Sequence, residues 1–370
     1  MERIGKHPAD ALLLAVQVLI VSLGLALLFS ASHFYAERVF HDPYYLLKRQ
    51  VAWILVGVLV CFFAARTPLE LVRRLTPLFL GITFALSLAV FLPGIGHPLL
   101  GARRWLFIGG LSIEPSELAK PALVLYLASI LAKKQERIND PLNSLVPPLL
   151  VVLAFAAVVY FQKDFSTAVF MLVIALCMLL MAQVRLLYFI LLSVLFLPLG
   201  GVLLFTQAYR VQRLIAFFNP LADPTGSGYQ VSAARSALAS GGLWGAGLGR
   251  GLKSLGGLPE AHSDFIFAVI GEETGFLGAL FLLFLFVLFA WRGYTTALRS
   301  EEDYTTYLAF GLTTTIFLQV LLNIAVVAGM VPATGIPLPL VSAGGSCMVA
   351  TMLMGGLLLN LSRRTQGAAR

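Results

Sequence analysis

The sequence predicts an all-α integral membrane protein with about ten transmembrane helices and a large extracytoplasmic loop between the seventh and eighth. Three observations carry this reading. Of the 370 residues, 59% are hydrophobic and only 12% are charged, where a soluble domain carries about 25% charge. Mean hydropathy is +0.90. Apolar runs of about 20 residues, the length that crosses a bilayer as helix, recur along the whole chain. No stretch is left over for a soluble domain, so residues 1–370 read as one polytopic domain.

The spans fall at approximately 11–30, 50–65, 77–92, 118–132, 145–161, 167–184, 186–207, 268–291, 304–328 and 346–362. The first follows Arg3 and Lys6 as a signal peptide would. No convincing small-residue cleavage site comes after it, so it reads as a retained helix. The second, third and fourth are short and are expected to extend into their flanks or to be shielded locally. Basic residues set the sidedness. Arg66, Arg73, Arg74, Lys133, Lys134, Arg137, Arg185, Arg292 and Arg299 fall on alternate short loops, with Arg363 and Arg364 in the tail. Cytoplasmic loops are rich in Lys and Arg, which puts both termini inside and loops 93–117, 208–263 and 329–345 outside. The same rule accounts for much of the net charge of +8, which in a soluble protein would suggest nucleic acid; no nucleic-acid partner is expected. The three cysteines, Cys61, Cys177 and Cys347, lie in apolar segments. An odd number without metal spacing reads as buried thiols.

The outer loops differ in character. The last, 329–345, is almost wholly apolar yet rich in Gly and Pro. Irregular apolar backbone survives at membrane depth only when buried in protein or lining a cavity, so this loop is expected to wall a site. Within 208–263, Tyr229–Ala239 has helical spacing and small residues and ends at Gly241-Gly242, as a surface helix would. The alternating Gly245, Gly247, Gly249 and Gly251 have no preceding strand and no following Gly-Lys-Ser/Thr, so they read as a close-packed turn and not as a nucleotide loop.

The titratable residues concentrate in Leu258–Gly275, which holds Glu260, His262, Asp264, Glu272 and Glu273. Ionisable groups against a bilayer are costly and tend to be functional. Glu260, His262 and Asp264 are all competent metal ligands; a loop-to-helix junction with one acid capping the helix explains them equally well. Asp264 stands apart because Phe265-Ile-Phe267 follows it directly. Partial desolvation there would raise its pKa and suit it to proton transfer near neutral pH. Glu272 and Glu273 lie deeper and read as hydrogen-bonding support. Ile113–Lys120 looks like a helix start, with Pro115 in the first turn and Glu117 able to pair with Lys120. Beside that capped, ion-paired reading stands a functional one: Lys120, with Arg103, Arg104, Arg210 and Arg213, would hold a phosphate at the outer surface. For Arg210 and Arg213, interfacial snorkelling is the competing explanation.

Together these segments resemble the SEDS family (shape, elongation, division, sporulation) of bacterial cell-wall polymerases. The blocks are Gly101-Ala-Arg-Arg-Trp105, Pro115–Lys120, Pro220–Gln230, Leu258–Gly275 and Gly335-Ile-Pro-Leu-Pro339 with Ser342 and Gly344-Gly345. Pro93–Gly96, Gly247-Leu-Gly249 and the Leu-Asn-Leu-Ser-Arg363 ending are closer to the division branch, FtsW, than to the elongation branch, RodA. The chain departs from the family pattern at Glu114, where Gln is usual, at Lys163, and at Ala343, where an aromatic is usual. The resemblance implies a peptidoglycan glycosyltransferase in the bacterial inner membrane that polymerises lipid II into glycan strands, with Asp264 as the essential catalytic carboxylate. It also implies a class B penicillin-binding protein transpeptidase as partner, beside other divisome or elongasome membrane proteins. Glu117, Lys120, Arg103, Arg104, Glu260, His262, Arg210 and Ser342 are the expected substrate contacts. A divalent cation, Mg or Mn, is a possible cofactor, with Asp264, Glu260 and His262 as its candidate ligands. The alternatives are a lipid II flippase, which would need ionisable groups at mid-span, and a non-catalytic scaffold that recruits a transpeptidase.

Overall fold

A computed structural model describes residues 9–99, 102–108, 111–138, 140–220, 226–251 and 258–368. Arg3, Lys6, Gly101 and positions 221–225 of the Pro220–Gln230 block lie outside the described residues. The chain runs α1 (Ala11–Phe40), α2 (Tyr45–Arg66), α3 (Leu69–Ala89), β1 (Gly96–Leu99), β2 (Ala102–Ile108), β3 (Leu111–Ile113), α4 (Pro115–Lys133), α5 (Val146–Phe161), α6 (Phe165–Met181), α7 (Leu186–Phe205), α8 (Ala208–Phe218), α9 (Ser227–Gly241), α10 (Ile266–Leu298), α11 (Asp303–Val327) and α12 (Gly345–Ala368).

Among the described residues, seven helices are long and apolar enough to cross a membrane: α1, α2, α3, the segment 142–161 that contains α5, α10, α11 and α12. The apolar α6 is shorter. The remaining two predicted positions are occupied by α7 and by α4, whose Glu117, Lys120 and Lys133 lower its apolarity. The boundaries moved where expectation was weakest. The second span lengthens to 22 residues. The third starts at Leu69, not 77, because Pro77 sits inside the helix, as prolines can in membrane helices. The first continues to Phe40, where His41 closes it in a left-handed conformation.

Helices α11 and α12 are the most buried of the spans; α2 and α3 are the least. Side-chain bonds fix the ends of the bundle. Asp10 caps α1, accepting from the Leu12 and Leu13 amides, and also pairs with Arg292 near the end of α10. Asp164 caps α6 through the Thr167 amide at 3.2 Å. A charged cap that also meets an arginine ties one helix end to another.

Three structures were not expected from the sequence. The first is an antiparallel sheet β1-β2-β3, with Trp105 opposite His97 and Leu106 opposite Ile113. The second is α8, which turns the start of the 208–263 loop into a helix. The third is a break in α10 at Gly275 (φ 70, ψ −172). There the backbone of the glycine-rich turn docks into the helix: Ala246 and Gly247 donate to the Glu272 and Glu273 carbonyls, and Phe276 donates to Gly242. The close-packed turn predicted from the alternating glycines is therefore present, and its partner is the kink. The expected surface helix is α9, two residues longer at each end than Tyr229–Ala239. All three cysteines are free thiols.

Candidate active site

Asp264 ends a short turn that enters α10. The turn is closed by the Glu260 carbonyl, which accepts from the amides of Ser263 and Phe265; Glu260 itself is left-handed (φ 55). Two walls then hold the turn in place. From α11, Asn323 donates through Nδ2 to the carbonyls of Asp264 and Ile336, both at 2.9 Å. From loop 329–345, the Ser342 hydroxyl donates to the Ser263 carbonyl at 2.6 Å and the Ala343 amide to the His262 carbonyl at 2.9 Å. Ile336, Leu338, Leu340 and Val341 of that loop are buried. A Cβ on Gly335 would stand 3.5 Å from Asp264 Oδ2. The loop therefore walls the site, as its composition predicted.

The Asp264 side chain is half-buried. Burial, reinforced by the charge of Glu260, pushes its carboxyl up to about 6, against the pull of Arg213 and Arg104. Those two cations come from different elements. Arg104 alternates inward on β2 with the buried Leu106, the period-two geometry of a strand, and pairs with Asp164 at 3.6 Å. Arg213 reaches from α8 and donates to the Ala333 carbonyl at 3.2 Å. The site thus places one raised carboxyl within the field of two guanidinium groups that always carry charge.

Other predicted site residues stand elsewhere. Lys120 is 2% exposed; it pairs with Glu117 at 2.7 Å and hydrogen-bonds Gln319 at 2.8 Å. It is a buried ion pair that ties α4 to α11, not a cation open to a phosphate. Ser342 is also buried. Its oxygen accepts from the Leu338 amide at 2.8 Å while its hydrogen goes to Ser263, so it shapes the wall. Arg210 lies in the α7–α8 corner, stacked on Tyr160 (4.4 Å) and Phe165 (5.0 Å) and bonded to the Leu203 carbonyl. Arg103 is exposed on the opposite face of β2 from Arg104.

The candidate metal triad is also corrected. Among the described residues no group of three or more His, Cys, Asp or Glu side chains is placed to hold a metal ion. The His262 ring stacks on Tyr35 at 4.7 Å, and burial lowers its pKa although Glu260 opposes the shift. The Glu260 carboxylate is exposed and receives the Ser263 hydroxyl at 2.7 Å. The His262 ring is engaged by Tyr35 and the Glu260 carboxylate by Ser263, and the three side chains are not grouped, so this donor set does not fit a protein-held ion.

Four contributors were missed or left open. Arg213 had two competing sequence readings, a phosphate contact and interfacial snorkelling. Asp164 was not singled out in the sequence. Gln319 and Asn323 are polar residues four apart in the apolar last third of α11, a spacing that puts both on one face. Gln319 bonds Lys120 and the Pro337 carbonyl, and Asn323 bonds Asp264. That pair was the sequence signal for the seam between α11 and the last loop.

The family model described as cell cycle protein, FtsW/RodA/SpoVE, matches residues 10–367. The chain belongs to this family. It is 39% identical over 361 residues to the probable peptidoglycan glycosyltransferase FtsW of Geobacter sp. (strain M18), covering 97% of this chain and 98% of that one. It is 36% identical over 358 residues, with the same coverage of this chain, to stage V sporulation protein E of Bacillus subtilis (strain 168), of which it covers 98%. Among solved structures, a chain of a peptidoglycan synthase complex with coordinated polymerization and crosslinking superimposes with a TM-score of 0.79 at 27% identity, over 96% of this chain and 98% of that one. The rod shape determining protein RodA of Thermus thermophilus does so with a TM-score of 0.70, also at 27% identity, over 96% and 97%.

Departures from the FtsW/RodA/SpoVE pattern acquire a physical meaning here. Burial, with the charges of Glu117 and Asp164, pushes the Glu114 carboxyl up to about 8. The direction favours the uncharged carboxyl, the form that most resembles the amide usual at that position. Lys163 is left-handed (φ 66) and contributes its carbonyl, which accepts from Arg104 and from the Tyr209 hydroxyl.

Proposed function

We propose that the protein is a peptidoglycan glycosyltransferase that polymerises lipid II at the outer face of the bacterial inner membrane, with Asp264 as general base. The half-buried Asp264 carboxyl, raised to about 6 by burial and within the field of Arg213 and Arg104, is the observation that carries this reading. Relatives named as probable peptidoglycan glycosyltransferases support it along nearly the whole chain.

The chemistry follows from the groups present. An acceptor sugar hydroxyl attacks the anomeric carbon of the donor. The new C–O bond forms as the bond to the lipid diphosphate breaks, and that electron pair leaves with the phosphate oxygen. Asp264 takes the hydroxyl proton, and a base near its pKa does this well at neutral pH. Arg104 and Arg213 offset the negative charge gathering on the leaving diphosphate. A single displacement inverts the anomeric centre and needs no second carboxylate of the retaining type. A Mg or Mn ion would enter on the substrate diphosphate; no step depends on it.

The basic residues on alternate short loops support cytoplasmic termini, and a class B penicillin-binding protein is the proposed partner. Likeness to a chain from a complex that couples polymerization to crosslinking supports that partner. Purified protein in detergent tests the assignment. Wild type is expected to build glycan strands from lipid II, and Asp264→Asn to lose at least about a hundredfold in rate, the scale of a lost general base. Near-normal strands from Asp264→Asn would sink it and favour a scaffold. A folded wild type that makes none would favour a flippase.

A further inference from the structure

At the opposite end of the bundle lies a cleft of about 750 Å³ lined by Pro68, Glu70, Leu71, Arg73, Arg74, Ser129 and Lys133. It opens between the start of α3 and the end of α4. Its sidedness follows from α11. Arg73 sits over the Tyr304 ring at 5.2 Å, at the start of that helix, while Asn323 holds Asp264 near its end. The two points are about 30 Å apart at 1.5 Å per residue, the thickness of a bilayer core.

The cleft has two properties that belong together. Arg73, Arg74 and Lys133 are exposed, and among the described residues none of them is in an ion pair. Glu70 is the one acid among the lining residues. Stacking on Tyr304 engages the face of the Arg73 guanidinium and leaves its edge donors for an anion. From the same cleft, Leu71, Leu75, Leu78 and Ile82 run up α3 as an exposed apolar stripe, 43%, 44%, 60% and 49% accessible. Their spacing of four, three and four is one helix face.

We infer that this cleft binds an anionic phospholipid of the leaflet opposite the Asp264 face, its phosphate between Arg73, Arg74 and Lys133 and an acyl chain along the α3 stripe. A soluble anion would use the cations but not the stripe. A neutral lipid would use the stripe but leave three cations uncompensated. Basic pockets between helices on the cytoplasmic side recognise anionic head groups by this combination.

Full-length protein purified in detergent, titrated with phosphatidylglycerol and read by native mass spectrometry, tests the inference. Arg73→Gln/Arg74→Gln/Lys133→Gln is expected to weaken phosphatidylglycerol binding about a hundredfold, at roughly fivefold per basic side chain. Leu75→Asn/Leu78→Asn should weaken it with the cations intact, and Arg299→Gln, exposed at the same end, should not. If the triple variant fails to fold, Lys133→Gln alone carries the expected fivefold loss. Unchanged binding in the cation and leucine variants of the cleft would overturn the inference, as would equal retention of phosphatidylcholine. So would displacement of the lipid by millimolar inorganic phosphate, which marks a simple anion site, or by an acidic peptide, which marks a protein-docking site.

Discussion

Asp264 and Lys120 show how the same physics gives opposite roles to two ionisable residues. Asp264 is half-buried and, among the described residues, in no ion pair, so burial raises its pKa to about 6. The sign has two consequences. Activity should rise with pH through about 6 as the base ionises and flatten above it; a lipid II polymerisation rate that is level from pH 5 to 8 would contradict this. The raised value also means that the fold favours the protonated form. The associated stability is present at low pH and is lost as pH rises from the unfolded value near 3.8 through about 6. Asp264→Asn is therefore expected to melt no lower than wild type at pH 7 while losing activity, which separates a catalytic role from a structural one. Lys120 is the reverse case, buried and paired with Glu117. Lys120→Met would strand a buried carboxylate at a cost of about 3–5 kcal/mol, whereas removing both charges recovers much of the loss. Thermal melts of Lys120→Met and of Lys120→Met/Glu117→Leu check this; a stable single variant with only a raised KM would restore Lys120 as a phosphate contact.

At the scale of elements, the site depends on loops that are rigid because helices close over them. The break in α10 is the clearest instance. Gly275 lies at φ 70, and a Cβ there would come within 2.4 Å of the Gly245 nitrogen and 2.5 Å of the Leu243 oxygen. Both are backbone atoms that no rotamer change can move. Gly275→Ala is expected to cost at least about 3 kcal/mol, from the forbidden conformation together with the clash, and to expose 242–250 to protease first. What the sequence could reveal of these elements follows from how far each signal reaches. Loop 329–345 was legible because Gly and Pro exclude helix while its apolar residues demand burial. The turn before α10 was legible because acids abut Phe265-Ile-Phe267. The sheet was not, since β1 and β3 span four and three residues, too short for alternation to register. Nor could spacing show that Arg104 and Arg213, on β2 and α8, converge on a residue in the turn before α10. That convergence is a property of packing. Ser342 was misassigned for the complementary reason: a hydroxyl in a wall looks the same in sequence as one in a pocket.

For the whole molecule, function requires that the Asp264 end face the compartment where glycan strands are built. The chain places two exposed probes at opposite ends. Trp244, 80% accessible, lies in the turn that docks on the α10 break near the start of that helix. Glu301 is exposed between the end of α10 and the start of α11. Since α10 runs on from its break at Gly275 to Leu298, about 35 Å at 1.5 Å per residue, the probes cannot share a membrane face. Trp244→Cys, in a background with Cys61, Cys177 and Cys347 replaced by Ser, is expected to react with a membrane-impermeant maleimide in intact spheroplasts. Glu301→Cys should react only after permeabilisation. The reverse pattern would place Asp264 on the side without glycan strands and would exclude the polymerase reading whatever the chemistry of the pocket. It would also move the basic cleft of α3 and α4 to the outer leaflet, where the positive-inside rule gives no reason to find three unpaired cations.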